Sequence, residues 1–172
     1  MRLETDLTKI TRIAQERKEE NWRFRSFLKA YDEAPREIDR IVHDLYQRIS
    51  SEIDCQQCAN CCRKIQPILN RKDIRVFSRG LGLDVNQFKE QFLVKDDETP
   101  DKFRFNTLPC PFLRGNLCLN YEHRPQDCRS FPHLHKRDFT SRLWEVVENY
   151  SLCPLVFNVY EYLKRELWHK NW

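Results

Sequence analysis

The 172-residue chain has only 3 glycines. None sits in a spacing that cradles phosphate, which excludes P-loop and dinucleotide-binding chemistry. Long apolar runs are also missing: no stretch approaches the roughly 20 apolar residues that span a bilayer, so no membrane partner is expected. Charge of one sign is not in excess either. Lys plus Arg number 30 against 26 for Asp plus Glu, and the net charge of +4 is spread along the chain, which predicts no strong nucleic-acid partner. The chain contains no HExxH, no Ser-His-Asp order and no compelling carboxylate pair, so no catalytic residue is assigned. The segment MRLETDLTKITRIAQERKEE is charged at helical spacing and lacks the apolar core and cleavage site of a secretory signal, so a cytoplasmic location is expected.

What the chain does have is a hydrophobic share of 40% beside 33% charged residues, the balance of a folded globular protein. It also has 8 cysteines: Cys55, Cys58, Cys61, Cys62, Cys110, Cys118, Cys128 and Cys153. That share is below the roughly 8 to 10% of a disulfide scaffold, and a reducing compartment disfavours structural disulfides. Half of them crowd into the run Cys55-Gln56-Gln57-Cys58-Ala59-Asn60-Cys61-Cys62. Two-residue gaps let neighbouring sulfurs converge on one centre at about 2.3 Å each, which points to a metal site. A helical run puts Cys55, Cys58 and Cys62 on one face; a looped run makes Cys55, Cys58 and Cys61 resemble the arm around an iron-sulfur cluster. Buried apolar thiols and a redox CxxC are the competing readings, and no βαβ pattern surrounds the motif to favour the latter.

Around that run the pattern is mainly helical. A stripe from Leu3 through Leu7, Ile10, Ala14, Arg17, Asn21, Phe24 and Leu28 to Tyr31 predicts one long amphipathic helix within an N-terminal arm, residues 1–34. The arm is read as docking on the domain, with self-pairing or a protein partner as alternatives. Pro35 opens a second helix with an apolar face from Ile38 to Ile53. Asn70 and Asp73 cap a third that Gly80 stops, and Asp84 caps a fourth. Residues 94–101 read as a surface loop. Arg114-Gly115-Asn116 turns a short hairpin, Pro125 begins a short helix carrying Cys128, and Cys153 precedes a C-terminal helix starting at Pro154. The expected fold is mainly α with a short antiparallel β-hairpin: a small metal-centred domain over residues 35–172 behind the helical arm. Arg63, Lys64, Arg124 and Arg129 flank cysteines, and Arg129 is the first choice for an anion or second-shell contact. His133 and His135 read as solvent-facing, and His43, His123 and His169 carry no signal.

The ordered motifs resemble the YkgJ-like cysteine-cluster family, the CxxCxxCC zinc- or iron-chelating domains. They are Cys55 to Cys62, Cys110-Pro111-Phe112-Leu113, Gly115-Asn116-Leu117-Cys118-Leu119-Asn120-Tyr121, Arg124-Pro125-Gln126-Asp127-Cys128-Arg129-Ser130-Phe131-Pro132, and Cys153-Pro154. The resemblance implies a metal-binding domain holding Zn2+ or an iron-sulfur cluster, with all eight cysteines as candidate ligands and no assigned biochemical role. A likeness to the cysteine-rich part of flagellin lysine methylases keeps open a metal-dependent enzyme, redox or methyl-transferring, as the alternative. The chain departs from the family in having Ala59 where a glycine often follows the second cysteine, and the arm lies outside the match.

Overall fold

Asp6 starts the first helix: its carboxylate accepts the amides of Thr8 at 2.8 Å and Lys9 at 3.2 Å, satisfying donors that the helix itself leaves unpaired. In the computed structural model, which describes residues 1–31 and 35–168, this helix does not run on to Tyr31. It ends as α1, Leu7–Glu16, and a second helix, α2, spans Lys18–Ala30. The break falls at Arg17, whose backbone leaves the helical region (φ −102°, ψ 16°), and whose guanidinium reaches the Glu161 carboxylate. The single helix expected there is thus two. Residues 32–34, where the expected arm ends, and His169 lie outside the described residues.

The remaining elements follow the capping and proline signals closely. Helix α3, Pro35–Ser50, precedes the cysteine run, which forms two short helices, α4 (Cys55–Cys58) and α5 (Asn60–Lys64). Helices α6 (Arg71–Gly80) and α7 (Val85–Phe92) lead into strand β1 (Leu93–Lys95), antiparallel to β2 (Phe103–Phe105). A second hairpin pairs β3 (Leu113–Arg114) with β4 (Leu117–Cys118), Leu113 opposite Cys118. A 3₁₀ turn (Tyr121–His123), α8 (Gln126–Ser130), a 3₁₀ turn (Phe139–Arg142), α9 (Leu143–Asn149) and α10 (Pro154–Leu167) complete the chain. The fold is mainly helical, as expected, with two small hairpins instead of one.

These elements gather into two units, one joining residues 1–54 with 132–172 and the other holding 55–131. In the first, the arm helices are structural members. Phe24 of α2 meets Tyr160 of α10 edge-on at 5.1 Å, the Tyr160 hydroxyl donates to the Asn21 carbonyl at 3.0 Å, and Asn158 exchanges hydrogen bonds with the Glu4 backbone. Ile10, Phe24, Leu28, Val42, Leu45 and Leu163 are buried, each contributing about 1.5–3 kcal/mol by leaving water. The second unit has its own core of Leu69, Ile74, Phe77, Phe88, Leu93, Phe105 and Phe112. That core sits under α6, α7 and the β1–β2 hairpin. From Leu113 to Phe131, by contrast, no leucine, phenylalanine or tyrosine side chain is buried.

Candidate metal centre

Seven of the eight cysteines belong to the second unit; Cys153 belongs to the first, where it is buried at the N-cap of α10. None of the eight is in a disulfide. The run Cys55–Cys62 is neither one helix nor an open loop. Ala59, at φ 48° and ψ 18°, takes the left-handed conformation between α4 and α5, which turns the second pair of cysteines away from the line of the first. That conformation costs an L-residue roughly 1–2 kcal/mol and costs glycine nothing comparable. A glycine preference at this position therefore has a backbone cause.

Four thiols from separate segments come within reach of one another's charge: Cys62, Cys110, Cys118 and Cys128. Cys61 hydrogen-bonds to Cys62 beside them. Backbone contacts hold this arrangement. The Cys110 amide donates to the Cys62 carbonyl at 2.8 Å, tying the segment after the β1–β2 hairpin to α5. Arg63 bonds the carbonyls of Cys58 and Gly115, both at 2.9 Å, and the Asn116 side chain, whose own amide returns to the Gln57 carbonyl at 2.6 Å. The β3–β4 turn, with Gly115 at φ +58°, is thereby fixed against α4.

The helix carrying Cys128 is pinned by two carboxylates that motif spacing does not reveal. Asp73 accepts the Gln126 amide at 2.9 Å while also serving the capping box of α6, and Asp127 accepts the Ile68 amide at 3.0 Å. Asn120 is a third such residue. It is buried, donates to the Phe77 carbonyl at 2.8 Å and is hydrogen-bonded to His123 Nδ1 at 3.0 Å.

The thiols differ in charge preference. Cys62 is held down at about 7, first by the Cys61 hydrogen bond, against its burial, and then by the guanidinium charges of Arg124 and Arg63. Burial pushes Cys110 up to about 11 and also raises Cys118. Burial raises Cys128 furthest, with the charges of Cys62 and Cys110 adding to it. Opposing this, backbone amides donate to sulfur: those of Phe112 and Leu113 to Cys110, and that of Asn120 to Cys118. Such bonds stabilise the anionic form a metal ligand must take. Among the described residues no three His, Cys, Asp or Glu side chains stand close enough to hold an ion as they are.

Cys55 is exposed and Cys58 half-buried in α4. Arg129 is exposed on α8, whereas Arg63 and Arg124 are the arginines whose charge acts on Cys62. His133 and His135 lie in the first unit, where His135 is exposed near Tyr46, with ring centres 6.2 Å apart.

A family profile described as "CxxCxxCC: Putative zinc- or iron-chelating domain" matches residues 54–154, more than half of the chain. The chain belongs to this CxxCxxCC family. The match begins just before Cys55 and ends just after Cys153, so it brackets every cysteine and includes both hairpins, and it leaves the arm and most of α10 outside. No curated protein and no solved structure matches the chain. The CxxCxxCC family relationship supports metal chelation in general. No described helix is long and apolar enough to cross a membrane.

Proposed function

We propose that this CxxCxxCC protein binds zinc or an iron-sulfur cluster through a four-thiolate centre made by Cys62, Cys110, Cys118 and Cys128. The observation that carries the reading is the gathering of those four thiols, from α5, the 110 segment, β4 and α8, within one another's charge reach. The donor chemistry fits. Four sulfurs match both a closed structural zinc site and a cubane cluster, and either leaves a net charge of about −2 that Arg63 and Arg124 offset. The bare stretch from Leu113 to Phe131 supports it too. With no large apolar side chain buried there, bound metal supplies the cross-link that a core supplies elsewhere.

In this reading the chain's own residues do the work of presentation. Asn116 and Arg63 fix the hairpin carrying Cys118, Asp73 and Asp127 fix α8 with Cys128, and the amides of Phe112, Leu113 and Asn120 solvate the sulfurs as they lose protons. Cys55, Cys58 and Cys61 are the remaining candidate ligands within this unit, for a second equivalent of metal, and Cys153 is a separate candidate in the first unit. The role is metal binding and maintenance of the fold, in the cytoplasm, with no catalytic step assigned.

Anaerobic purification with metal analysis tests the assignment. Brown protein with about four irons per chain marks a cluster, and colourless protein with zinc marks the ion. Cys110→Ser should lower both metal content and thermal stability; unchanged metal in Cys110→Ser and Cys128→Ser together overturns the four-thiolate centre. Loss of a second equivalent on substituting Cys55 or Cys58 identifies a second site. Because Cys110, Cys118 and Cys128 hold their protons in the metal-free fold, uptake must release protons, and apparent affinity must fall as pH falls. A titration in weak buffer checks this directly: pH-independent affinity between pH 6 and 8 contradicts thiol ligation.

A further inference from the structure

Arg124 occupies an unusual position among the arginines of the second unit. Its guanidinium lies over the Tyr121 ring, 3.5 Å from the centroid, and its Nε donates to the Tyr121 carbonyl at 2.9 Å. Stacking and the Nε bond together fix the plane of the fork, so the entropy that an arginine usually loses on binding is already spent. Its two amino groups have no acceptor among the described residues: neither a carboxylate nor a sulfur is hydrogen-bonded to them. The buried, unpartnered side-chain atoms among those residues are Asn21 Oδ1 and Arg25 Nε. Arg124 is half-buried, and neither of its amino nitrogens is among them.

Arg63 gives the contrast. It also acts on Cys62, yet its amino groups are consumed by Cys58, Gly115 and Asn116. An arginine needed only to balance thiolate charge can be tied down in that way. Arg124 is oriented by one edge while the two amino groups that bind planar oxyanions are left available, within charge reach of Cys62 and Cys118.

We propose that Arg124, stacked on Tyr121, is an oxyanion-binding residue at the edge of the thiol cluster, taking a carboxylate or phosphate group in a two-pronged hydrogen bond. Two parallel N–H···O bonds to a charged acceptor are among the stronger hydrogen bonds available at a protein surface, and lysine cannot reproduce their geometry. The inference stands apart from the identity of the metal, because the holding contacts involve only Tyr121.

The test uses the full chain as purified, with metal content measured on every sample, and inorganic phosphate as the probe against chloride at equal ionic strength. Phosphate should broaden its own 31P line saturably and move the Arg124 Nε–H cross-peak. Acetate in a parallel arm should move the same cross-peak, showing whether the site prefers phosphate or carboxylate. Arg124→Gln should weaken phosphate binding at least tenfold and Arg124→Lys by less, whereas Arg75→Gln, which removes an exposed charge from α6 of the same unit, should leave it unchanged. Equal weakening by Arg75→Gln indicates diffuse charge and overturns the site. So does an Arg124→Gln protein that binds phosphate as the parent does at matched metal occupancy, or a parent cross-peak that stays still at saturating phosphate. If Arg124→Gln does not fold, the cross-peak of the parent and the Arg124→Lys affinity decide. Phosphate binding through Arg124 in protein that metal analysis and the cysteine variants show to hold no metal would leave this inference intact, so the two readings fail separately.

Discussion

Ala59 and Gly80 are two small residues whose roles run opposite to their helix propensities. Ala59 holds a left-handed backbone that glycine adopts without strain, so Ala59→Gly should raise stability by about 0.5–1 kcal/mol after the added freedom of the unfolded chain is subtracted. Thermal scans at fixed metal occupancy check this, and a lowered midpoint would show that the buried Ala59 methyl matters more than the strain. Gly80 is the last residue of α6, where alanine would ordinarily gain up to about 1 kcal/mol. Here a Cβ would fall 2.3 Å from Asn120 Oδ1 and 2.5 Å from His123 Nδ1. Asn120 cannot swing away cheaply, because it is buried and bonded to the Phe77 carbonyl, and its amide serves the Cys118 sulfur. Gly80→Ala should therefore cost about 1–3 kcal/mol overall and reduce metal content. A variant with parental metal content and stability would show that α6 and the 3₁₀ turn are not in this close contact.

At the scale of elements, α10 is organised around one buried cation. The Lys164 ammonium, 1% exposed, bonds Glu20 at 2.7 Å and Glu161 at 2.8 Å and lies near the Tyr150 and Tyr160 rings. Burial pushes the Glu161 carboxyl up, but Lys164, the Tyr150 hydroxyl and Arg17 together more than reverse it, and the net shift is downward. A carboxyl lowered in the fold adds stability above its ordinary value near 4.5, and that contribution disappears as pH falls through the lowered value. Glu161→Gln should thus cost about 2 kcal/mol at pH 7, since it leaves buried Lys164 with Glu20 as its one bonded carboxylate, and progressively less in acid. Urea unfolding followed by tryptophan fluorescence measures it, because the tryptophans among the described residues, Trp22, Trp144 and Trp168, lie in the first unit; a cost independent of pH from 7 to 3 refutes the coupling. This network also explains what could be read in advance. The caps at Asn70 and Asp84, the hairpin at Gly115 and the start of α10 were legible because each rests on local backbone chemistry. The break at Arg17 was not, because it accompanies an ion pair with a residue 144 positions away. Strands β1 and β2 are three residues each and pair across an acidic loop, too short for alternation to show.

On the scale of the whole chain, the cysteine run was legible as the mark of a metal-chelating family, while which thiols come within one another's charge reach was not, since that depends on how four segments meet. The two units divide the consequences of removing that metal. The first has its own apolar core and Lys164 network, and carries one cysteine. Within the second, α6 and α7 share the phenylalanine core of Phe77, Phe88, Phe105 and Phe112, whose rings sit 4.8–6.0 Å apart, a range at which aromatic pairs attract. Cys110 packs against that core, but residues 55–64 and 113–131 place no large apolar side chain in it. Chelation should therefore loosen the protein unevenly, as local unfolding does when one set of contacts is withdrawn. Hydrogen exchange should accelerate most in residues 55–64 and 113–131, by about tenfold or more, less in α6 and α7, and least in α10, with tryptophan emission nearly unchanged. Uniform acceleration, with the tryptophans shifting in step, would mean that metal supports the whole chain as one cooperative body. No acceleration in residues 113–131 would mean that the polar contacts of Arg63, Asp73, Asn120 and Asp127 hold that stretch unaided, and the thiols would then have no structural work to do.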